Sequence, residues 1–484
     1  MATAAVEQEL ARIRTTLSPR FAPPPTPWRS RLIHGGALAL WVLLFARAFG
    51  GGGLFAWSAG LAYIGYDTIL LAFVFWQTLA LLRSPAPRPI GISPAATVIV
   101  AAHNEAAVLP ATLNGLFAQT VPAAMILVAD DGSNDDTAAL LTSRYGLPTP
   151  PLGEMSGPGA LHPTLRWLRL PHGGKAQALN VAATLARTPL ILTVDSDTLL
   201  EPDALGAMQA AFAADPALVA ATGVLTPTCG PTVSGRLLEW FQTYEYVRNF
   251  LSRYAWMQAD GLLLISGAFG CYRREALLTV GGFDPDCLVE DYELTHRLRD
   301  YAGRNGLVWR TAVVGGAHAR TDAPATVAGF LRQRRRWFGG FLQTQLWYRH
   351  MVGNPAYGRL GTAMLPVKAI DTLQPLYGLT GAVLLLGYVL TGQAAIVAPV
   401  AGVIAAKIVL DLVFYIWSLL LYRRWLGHRA GLALAPAILA ALIEPFTFQL
   451  LRHLGAALGW VSFLTGTRSW GVTERLNTPV SATQ

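Results

Sequence analysis

Residues Leu190–Leu200 read LILTVDSDTLL, a short apolar run that ends in two aspartates. Such a run is typical of a strand that is buried on both faces of a parallel sheet. Side chains two positions apart on a strand share a face, so Asp195 and Asp197 converge beyond its carboxyl end, where open α/β sheets bind ligands. Two carboxylates this close favour a cation with oxygen ligands, Mg²⁺ or Mn²⁺. A solvated turn is the alternative, because Asp-Ser-Asp is common in turns.

The composition indicates a membrane protein. The 484 residues are 53% hydrophobic and only 14% charged, whereas roughly 25% of residues are charged in soluble domains. The net charge of +8 is better explained by arginines at the cytoplasmic ends of membrane spans than by nucleic-acid binding. The three cysteines lack metal-ligand spacing, and we expect reduced, buried thiols in a cytosolic domain.

The N-terminal part of the chain is divided by its hydrophobicity. Residues 1–31 are rich in proline and arginine, and we expect a polar tail. Residues 32–83 hold two apolar stretches, Leu32–Phe49 and Phe55–Leu82, which predict a transmembrane hairpin. Arginines lie before the first stretch and after the second, so both outer ends are expected in the cytoplasm.

After a linker at Pro85–Pro94, residues 92–322 have the pattern of an α/β domain. Apolar strands alternate with helical segments, which predicts a parallel, doubly wound sheet. We expect Leu262–Ser266 to form a later strand of this sheet and a helix to begin at Val289-Glu290-Asp291. An acidic pair in the first turn of a helix also serves as a simple cap, which is the alternative to a catalytic role.

The C-terminal part is again apolar. Residues 323–352 are amphipathic and strongly basic, which predicts a helix lying in the membrane interface. Residues 360–465 contain about three further membrane helices, and residues 466–484 are expected to be a tail on the far side of the membrane. The whole protein is therefore expected to be a multi-pass protein of a cell membrane, the inner or plasma membrane, with a cytoplasmic domain.

Five polar motifs follow one another along the chain. They are Asp130-Asp131-Gly132-Ser133, His172-Gly173-Gly174-Lys175, Asp195-Ser196-Asp197, Glu290-Asp291 and Gln333-Arg334-Arg335-Arg336-Trp337. In this order they resemble the processive, inverting family 2 glycosyltransferases, which include poly-N-acetylglucosamine, hyaluronan, chitin and cellulose synthases. The resemblance covers about Thr97–Trp337. It implies a GT-A-like, Rossmann-like α/β domain with a mostly parallel sheet, joined to an α-helical transmembrane domain.

The resemblance implies a donor site for a nucleotide sugar. Asp130 and Asp131 match the acidic pair that holds the uracil and ribose of a UDP-sugar. The other residues implied in nucleotide-sugar binding are Asn104, Glu105, Lys175 and Asp195, and His103 stands where the family usually has tyrosine. Asp195 and Asp197 match the metal-binding pair, so the implied cofactor is Mg²⁺ or Mn²⁺.

The resemblance also implies an acceptor site. Asp291 matches the aspartate that takes the proton of the acceptor hydroxyl, and Val289 replaces the threonine that is common in this motif. The residues implied in holding the acceptor sugar and the pyrophosphate are Ser266, Gly267, Glu290, Gln333, Arg336 and Trp337.

These roles agree with the chemistry of inverting transfer. The reaction needs one base within hydrogen-bond reach of the acceptor hydroxyl and positive charge on the departing diphosphate. A retaining two-carboxylate hydrolase would need a facing acid and nucleophile. Glu290 and Asp291 are adjacent on a helix and do not face one another, so they suit that role poorly.

We therefore predict a membrane-embedded, metal-dependent β-glycosyltransferase that builds a polysaccharide and passes it through its own helices. The span layout resembles the poly-N-acetylglucosamine synthases and favours UDP-N-acetylglucosamine. A cellulose- or glucan-type synthase that uses UDP-glucose, and a transferase that adds a single sugar to a lipid acceptor, are the alternatives. The expected partners are the UDP-sugar, a polysaccharide or glycolipid acceptor and the lipid membrane, and the need for an export partner protein stays open.

Other classes of protein fit less well. A transporter would hold its functional polar residues within the spans, whereas here they lie in the α/β domain. A nucleotide-binding receptor would not need Asp291 or the Gln333–Trp337 motif. A nucleic-acid-binding protein would bind DNA with a steep salt dependence, and we expect no such binding.

Overall fold

The structure is a computed structural model that describes residues 2–83, 93–426 and 433–466. The predicted linker at Pro85–Pro94 and the predicted C-terminal tail fall almost wholly outside these residues.

One eight-stranded sheet forms the centre of the α/β domain. Its strands are β1 (Ala96–Ala102), β2 (Met125–Asp131), β3 (Leu165–Leu170), β4 (Leu190–Asp195), β5 (Thr198–Leu200), β6 (Leu218–Thr228), β7 (Phe269–Arg273) and β8 (Arg310–Asp322). The spatial order is β3-β2-β1-β4-β7-β6-β8-β5. Strands β3, β2, β1 and β4 are mutually parallel, as predicted. The rest of the sheet is mixed, because β7 is antiparallel to β4 and β6, and β5 is antiparallel to β8.

The apolar strands lie where the pattern predicts. Every residue of β4 except Asp195 is buried, and β1 is buried almost throughout. The prediction of a strand at Leu262–Ser266 is wrong, because this segment is irregular and β7 begins three residues later. Side-chain hydroxyls replace a neighbouring strand here: Thr311 Oγ1 donates to the Leu262 carbonyl at 2.6 Å, and Ser266 N donates to Thr222 Oγ1 at 3.3 Å.

Helices cover both the domain and the flanking segments. Those before the domain are α1 (Ala2–Leu17), α2 (Trp28–Arg47) and α3 (Ser58–Thr78). Those of the domain are α4 (Leu109–Phe117), α5 (Thr137–Ser143), α6 (Lys175–Leu185), α7 (Ala204–Ala214), α8 (Val233–Gln258), α9 (Arg274–Thr279), α10 (Glu290–Arg304) and α11 (Val327–Trp347). The last group is α12 (Leu365–Asp371), α13 (Gln374–Leu390), α14 (Ala394–Leu426), α15 (Leu434–Ile443) and α16 (Phe448–Leu464).

Short helical turns join several of these elements. They are 3₁₀-helices at Gly53–Trp57, Leu79–Leu82, Arg349–Met351, Pro355–Tyr357 and Glu444–Phe446, and a π-helix at Leu360–Met364.

The predicted N-terminal polar tail is instead a structured part of the domain. Helix α1 packs on α6, and its Leu10 is buried. Arg14 is also buried, and its Nη1 donates to the Gly281 carbonyl at 2.7 Å. Just after α1, Arg20 forms an ion pair with Asp284 at 3.1 Å. The contacts made by Arg14 and Arg20 attach this segment to the turn that precedes α10, so the prediction of a tail is corrected.

Among the residues that the structure describes, three stretches are long and apolar enough to cross a membrane, namely Gly53–Leu82, Leu360–Leu390 and Ala394–Leu426. The pair Leu434–Phe446 and Phe448–Leu464, bent by 50°, would make a fourth span if it crosses as one. Helix α2, which holds the first half of the predicted hairpin, does not meet this criterion. The predicted arrangement of two spans before the domain and three after it stays a prediction.

A buried ionic cluster fixes α11 against its neighbours. Arg334 of α11 contacts Glu245 of α8 at 2.6 Å, and Arg452 of α16 contacts the same glutamate at 3.1 Å. Arg452 also lies 3.6 Å from Glu444, which pairs with Arg248 of α8. Because buried charges are costly unless paired, this cluster holds the three helices in one arrangement.

Candidate functional site

The predicted donor-site residues meet at one edge of the sheet. Because β1 to β4 are parallel, their carboxyl ends open onto the same edge, where α/β sheets bind ligands. The segments that follow β1, β2 and β3, together with the end of β4, carry the predicted residues. These residues are Asn104, Glu105, Asp130, Asp131, Lys175, Asp195 and Asp197.

Asn104 joins the first loop to the second. Its backbone has a φ of +59°, a conformation that asparagine tolerates better than most residues. Asn104 Oδ1 accepts hydrogen bonds from the backbone nitrogens of Asn134 at 2.8 Å and Asp135 at 3.2 Å. Glu105 beside it is buried, and its nitrogen donates to Thr137 Oγ1 at 3.3 Å. These bonds order the loop, and the predicted contacts of both residues with a nucleotide stay predictions.

The carboxylates of Asp130 and Asp131 are buried and hold backbone turns. Asp130 accepts from Ser133 N at 2.9 Å and from Trp167 Nε1 at 3.2 Å. Asp131 accepts from the nitrogens of Gly173 at 2.8 Å and Gly174 at 2.9 Å. Each carboxylate therefore shapes the loops around the site, and neither contact tests the predicted binding of uracil and ribose.

Two histidine rings lie against each other beside Asp131. The rings of His103 and His172 have centroids 4.3 Å apart, and His172 Nδ1 lies 2.9 Å from Asp131 Oδ2. The possible ligand atoms of His103, Asp131 and His172 all lie within 4.8 Å of one another. Within the described ranges, no other set of three or more histidine, cysteine or acidic residues is this close together. This group can hold a metal ion, and it is separate from the predicted pair Asp195 and Asp197.

Lys175 connects the end of β4 to the start of α10. Its Nζ lies 2.5 Å from Asp195 Oδ1 and 3.8 Å from Glu290 Oε1. Burial lowers the pKa of the Lys175 ammonium, but the two carboxylates outweigh burial, so the pKa is raised. Burial raises the pKa of Glu290, and Lys175 opposes that rise only in part. The lysine is therefore a fixed positive charge between two acidic groups.

A third carboxylate joins the predicted metal pair. Burial and then the charges of Asp195 and Asp322 raise the pKa of Asp197 to about 7. Asp322 is brought there by the antiparallel pairing of Thr198 with Thr321, which places the next residue of β8 beside Asp197. Sequence reasoning missed Asp322, because nothing in the local pattern around β8 indicates which strand it pairs with.

Asp291 lies in the first turn of α10 against the segment before β7. Its Oδ2 accepts from Gly267 N at 2.6 Å, and its Oδ1 accepts from Tyr292 N at 2.8 Å. Ser266 precedes this contact in the chain. The predicted base and the predicted acceptor segment, Ser266-Gly267, are therefore in direct contact.

Helix α11 brings the last motif to the same place. Arg336 Nη1 reaches the Leu288 carbonyl at 3.5 Å, two residues before Glu290. The guanidinium of Arg334 lies 4.6 Å from the ring centroid of Trp337. In the described part of the chain, Gln333 Oε1 is buried without a hydrogen-bond partner. The motif is thus packed on the segment that starts α10, and its predicted roles stay predictions.

Two family models match the chain. The family described as Glycosyl transferase family 2 matches residues 97–281, and the one described as Glycosyl transferase family group 2 matches residues 190–461. The second match covers more than half of the chain and includes the segments of Asp195, Asp291 and Trp337. The chain belongs to the family 2 glycosyltransferases. The family predicted from the five motifs is thereby confirmed.

Two relatives of this family 2 glycosyltransferase are poly-β-1,6-N-acetyl-D-glucosamine synthases. The protein of Staphylococcus epidermidis is 27% identical over 275 residues, which is 55% of this chain and 58% of the relative. The protein of Staphylococcus aureus strain COL is 28% identical over 249 residues, which is 50% of this chain and 54% of the relative. The chain therefore spans a little over half the length of the relatives that it matches.

A solved structure supports the fold of this glycosyltransferase. It is the mannosyltransferase PcManGT from Pyrobaculum calidifontis, described as a complex with GDP-Man and Mn²⁺. The alignment covers 81% of this chain and 99% of that protein, with a TM-score of 0.52 and 21% identity. The predicted GT-A-like, Rossmann-like α/β class is confirmed, with a mixed sheet.

Proposed function

We propose that this chain transfers a hexose from a UDP-sugar to a growing polysaccharide with inversion at the sugar carbon. The observation that carries the proposal is the continuous set of contacts from Asp195 through Lys175 to Glu290, next to the Asp291–Gly267 contact. This set joins a site for a phosphate-bound donor to a carboxylate that can act as a base. Asp291 takes the proton of the acceptor hydroxyl as that oxygen attacks the sugar.

The donor is held at the carboxyl edge of the sheet. Asn104, Glu105, Asp130 and Asp131 line the place of the nucleoside, and Lys175 neutralises a phosphate oxygen. Asp195 and Asp197, with Asp322 beside them, offer the oxygen ligands that suit Mg²⁺ or Mn²⁺. When bound there, the metal supplies positive charge to the departing diphosphate. The comparison structure, described with GDP-Man and Mn²⁺, supports a metal at a site of this kind.

The acceptor is held between the Ser266-Gly267 segment and α11. Trp337 offers an aromatic face to the apolar side of a sugar ring, and Gln333 offers an amide to its hydroxyls. Arg336 and the Glu290 segment lie where the diphosphate meets the acceptor, and guanidinium groups match phosphate oxygens well.

The sugar that we favour is N-acetylglucosamine, because the relatives are named poly-β-1,6-N-acetyl-D-glucosamine synthases. A cellulose- or glucan-type synthase with UDP-glucose is the second candidate. A transferase that adds one sugar to a lipid acceptor is the third, since the chain matches only part of the relatives.

We further propose that the protein is a multi-pass protein of a cell membrane, with its α/β domain in the cytoplasm. The three apolar stretches that can cross a bilayer support this location. The product would pass between these helices, with or without an export partner protein.

The test is UDP release by the purified full chain in nanodiscs. Each UDP-sugar, and GDP-mannose, is supplied separately with Mn²⁺ or Mg²⁺, and the products are sized. Release with UDP-N-acetylglucosamine and a ladder of long products supports the proposal. One short product supports single addition, and release with UDP-glucose or GDP-mannose reassigns the donor. No release with any donor and either metal would contradict the enzymatic assignment.

A further inference from the structure

Arg253 of α8 is partly exposed, but two of its three guanidinium nitrogens are buried and unused. In residues 2–83, 93–426 and 433–466, its Nε and Nη1 are buried and have no hydrogen-bond partner. The guanidinium lies 4.5 Å from the ring centroid of Phe250. Burial lowers the pKa of Arg253 to about 10, so the group is still charged at neutral pH. Buried N–H donors without an acceptor are costly, and a ligand oxygen would remove that cost.

The other buried charges near this position on α8 are paired. Glu245 contacts Arg334 and Arg452, and Arg248 pairs with Glu444. Arg253 therefore differs from its neighbours on the same helix. A residue that served only to fix α8 would be expected to have a protein partner as they do.

Arg253 lies one turn of α8 before a residue that packs beside the start of α10. Three residues further along α8, on the same face, Trp256 packs in a cluster with Val289 and Tyr292, which flank the acidic pair of α10. Arg253 is thus one helical turn from a side chain that packs beside the start of α10.

Two other unpartnered polar groups belong to the same region. In the described residues, the Tyr272 hydroxyl of β7 and Gln333 Oε1 of α11 are buried without hydrogen-bond partners. Burial, and then the charges of Asp291 and Glu290, raise the pKa of Tyr272. Donors and an acceptor without protein partners are therefore supplied by three elements, α8, β7 and α11.

The position of Arg253 favours the acceptor over the donor. The predicted donor-site residues lie at the ends of β1 to β4, whereas Arg253 is on α8, next to an apolar helix. Trp256 contacts Phe73 of the apolar stretch Gly53–Leu82, with ring centroids 4.5 Å apart and the ring planes tilted by 41°. Arg253 is therefore one helical turn from a side chain that packs both with the start of α10 and with a stretch that can cross a membrane.

We propose that Arg253 donates hydrogen bonds to an oxygen of the acceptor's terminal sugar, a hydroxyl or an acetamido carbonyl, and so aligns that sugar with Asp291. This inference rests on the proposed function. It makes Arg253 an acceptor-binding residue that none of the five sequence motifs includes.

The test compares Arg253→Met with the wild-type full chain in nanodiscs. Each protein is supplied with UDP-N-acetylglucosamine, Mn²⁺ and a β-1,6-linked N-acetylglucosamine tetrasaccharide as acceptor. Three quantities are measured: the KM for the tetrasaccharide, the KM for the donor and the rate of donor hydrolysis by water. We expect the tetrasaccharide KM to rise about 10- to 100-fold, while the donor KM and the hydrolysis rate stay unchanged.

Arg236→Met is the matched control, because Arg236 is an exposed residue of the same helix. Arg253→Lys keeps the positive charge, and we expect its KM for the tetrasaccharide to lie between those of the wild type and Arg253→Met. If Arg253→Met does not fold, Arg253→Lys is used in its place. An unchanged tetrasaccharide KM, or an equal rise in the donor KM, overturns the inference. Absence of transfer by the wild-type chain would instead count against the proposed function.

Discussion

The backbone nitrogen of Gly267 lies 2.6 Å from Asp291 Oδ2. A Cβ atom at position 267 would lie 3.1 Å from the same oxygen and 3.4 Å from Asp291 Cγ. The absence of a side chain at position 267 thus allows the backbone to approach the carboxylate. This hydrogen bond, with the one that Oδ1 accepts from Tyr292 N, orients the Asp291 carboxylate.

Gly267→Ala is expected to lower kcat by about 10- to 100-fold, because a small displacement of a base is costly. The donor KM should stay near that of the wild type, since Gly267 is not at the nucleotide edge. Steady-state UDP release gives both quantities. An unchanged kcat would show that the exact position of Asp291 does not limit the reaction.

Asp291→Asn is expected to reduce sugar transfer by about 10²- to 10⁴-fold, because the amide cannot accept the hydroxyl proton. Donor binding, measured by calorimetry with the UDP-sugar and Mn²⁺, should be kept. The control is Glu275→Gln, an exposed acidic residue of α9. Retained transfer in Asp291→Asn would require another base.

Asp195→Asn and Asp197→Asn are each expected to lower metal-dependent UDP release by at least about 100-fold, since each removes a ligand and a charge. Asp322→Asn should weaken Mn²⁺ binding by about 10-fold if its carboxylate completes the site. Titration of Mn²⁺ against UDP release measures both effects. Two results would assign the metal to the histidine group instead. One is full activity of the Asp195 and Asp197 variants, and the other is loss of Mn²⁺ dependence only when His103 and His172 are replaced.

His296 is expected to make the folded protein less stable in acid. Burial is the main cause that lowers the pKa of His296 to about 4. The hydrogen bond to the Tyr292 carbonyl and the charge of Asp300 oppose this in part, and Lys368 lowers the pKa further. The imidazole binds a proton more tightly in the unfolded chain than in the folded protein. The free energy of unfolding therefore falls by roughly 3 kcal/mol as the pH is lowered from ~6.5 toward 4. Thermal unfolding at several pH values should show a smaller loss in His296→Asn, and equal losses would contradict the assignment.

Arg14→Met is expected to destabilise the α/β domain by about 3 kcal/mol, because it removes a buried charge from its partners. Those partners are the Gly281 carbonyl and Glu7. Arg12→Met is the control, since Arg12 is exposed on the same helix and should give no measurable change. The unfolding midpoint of the purified chain checks both, and equal midpoints would mean that α1 does not stabilise the domain.

The sequence predicted which residues gather at one edge of the sheet because the signals for them are local. A buried strand followed at once by polar residues, as at Asp131 and Asp195, needs only the rule that parallel strands share an edge. The resemblance also named Gly267 and Asp291, and the structure brings them into contact, although their roles stay predictions. These features depend on short stretches of chain.

The features that were missed depend on long-range pairing. Asp322 reaches Asp197 only through the pairing of β5 with β8. Helix α1 carries a visible apolar pattern at Val6, Leu10, Ile13 and Leu17, with the spacing of an amphipathic helix. The proline and arginine content of the segment hid that signal, and no local pattern names the surface of α6 as its partner.

The contact between Arg14 and Gly281 has a consequence for how the protein is made. The two residues are 267 positions apart, so at a synthesis rate of ~5–20 residues per second the helix waits roughly 13–53 s for its partner. During that interval the apolar stretch Gly53–Leu82 leaves the ribosome and is available for insertion. The domain can close around α1 only afterwards, so its assembly is ordered in time behind the first membrane segment.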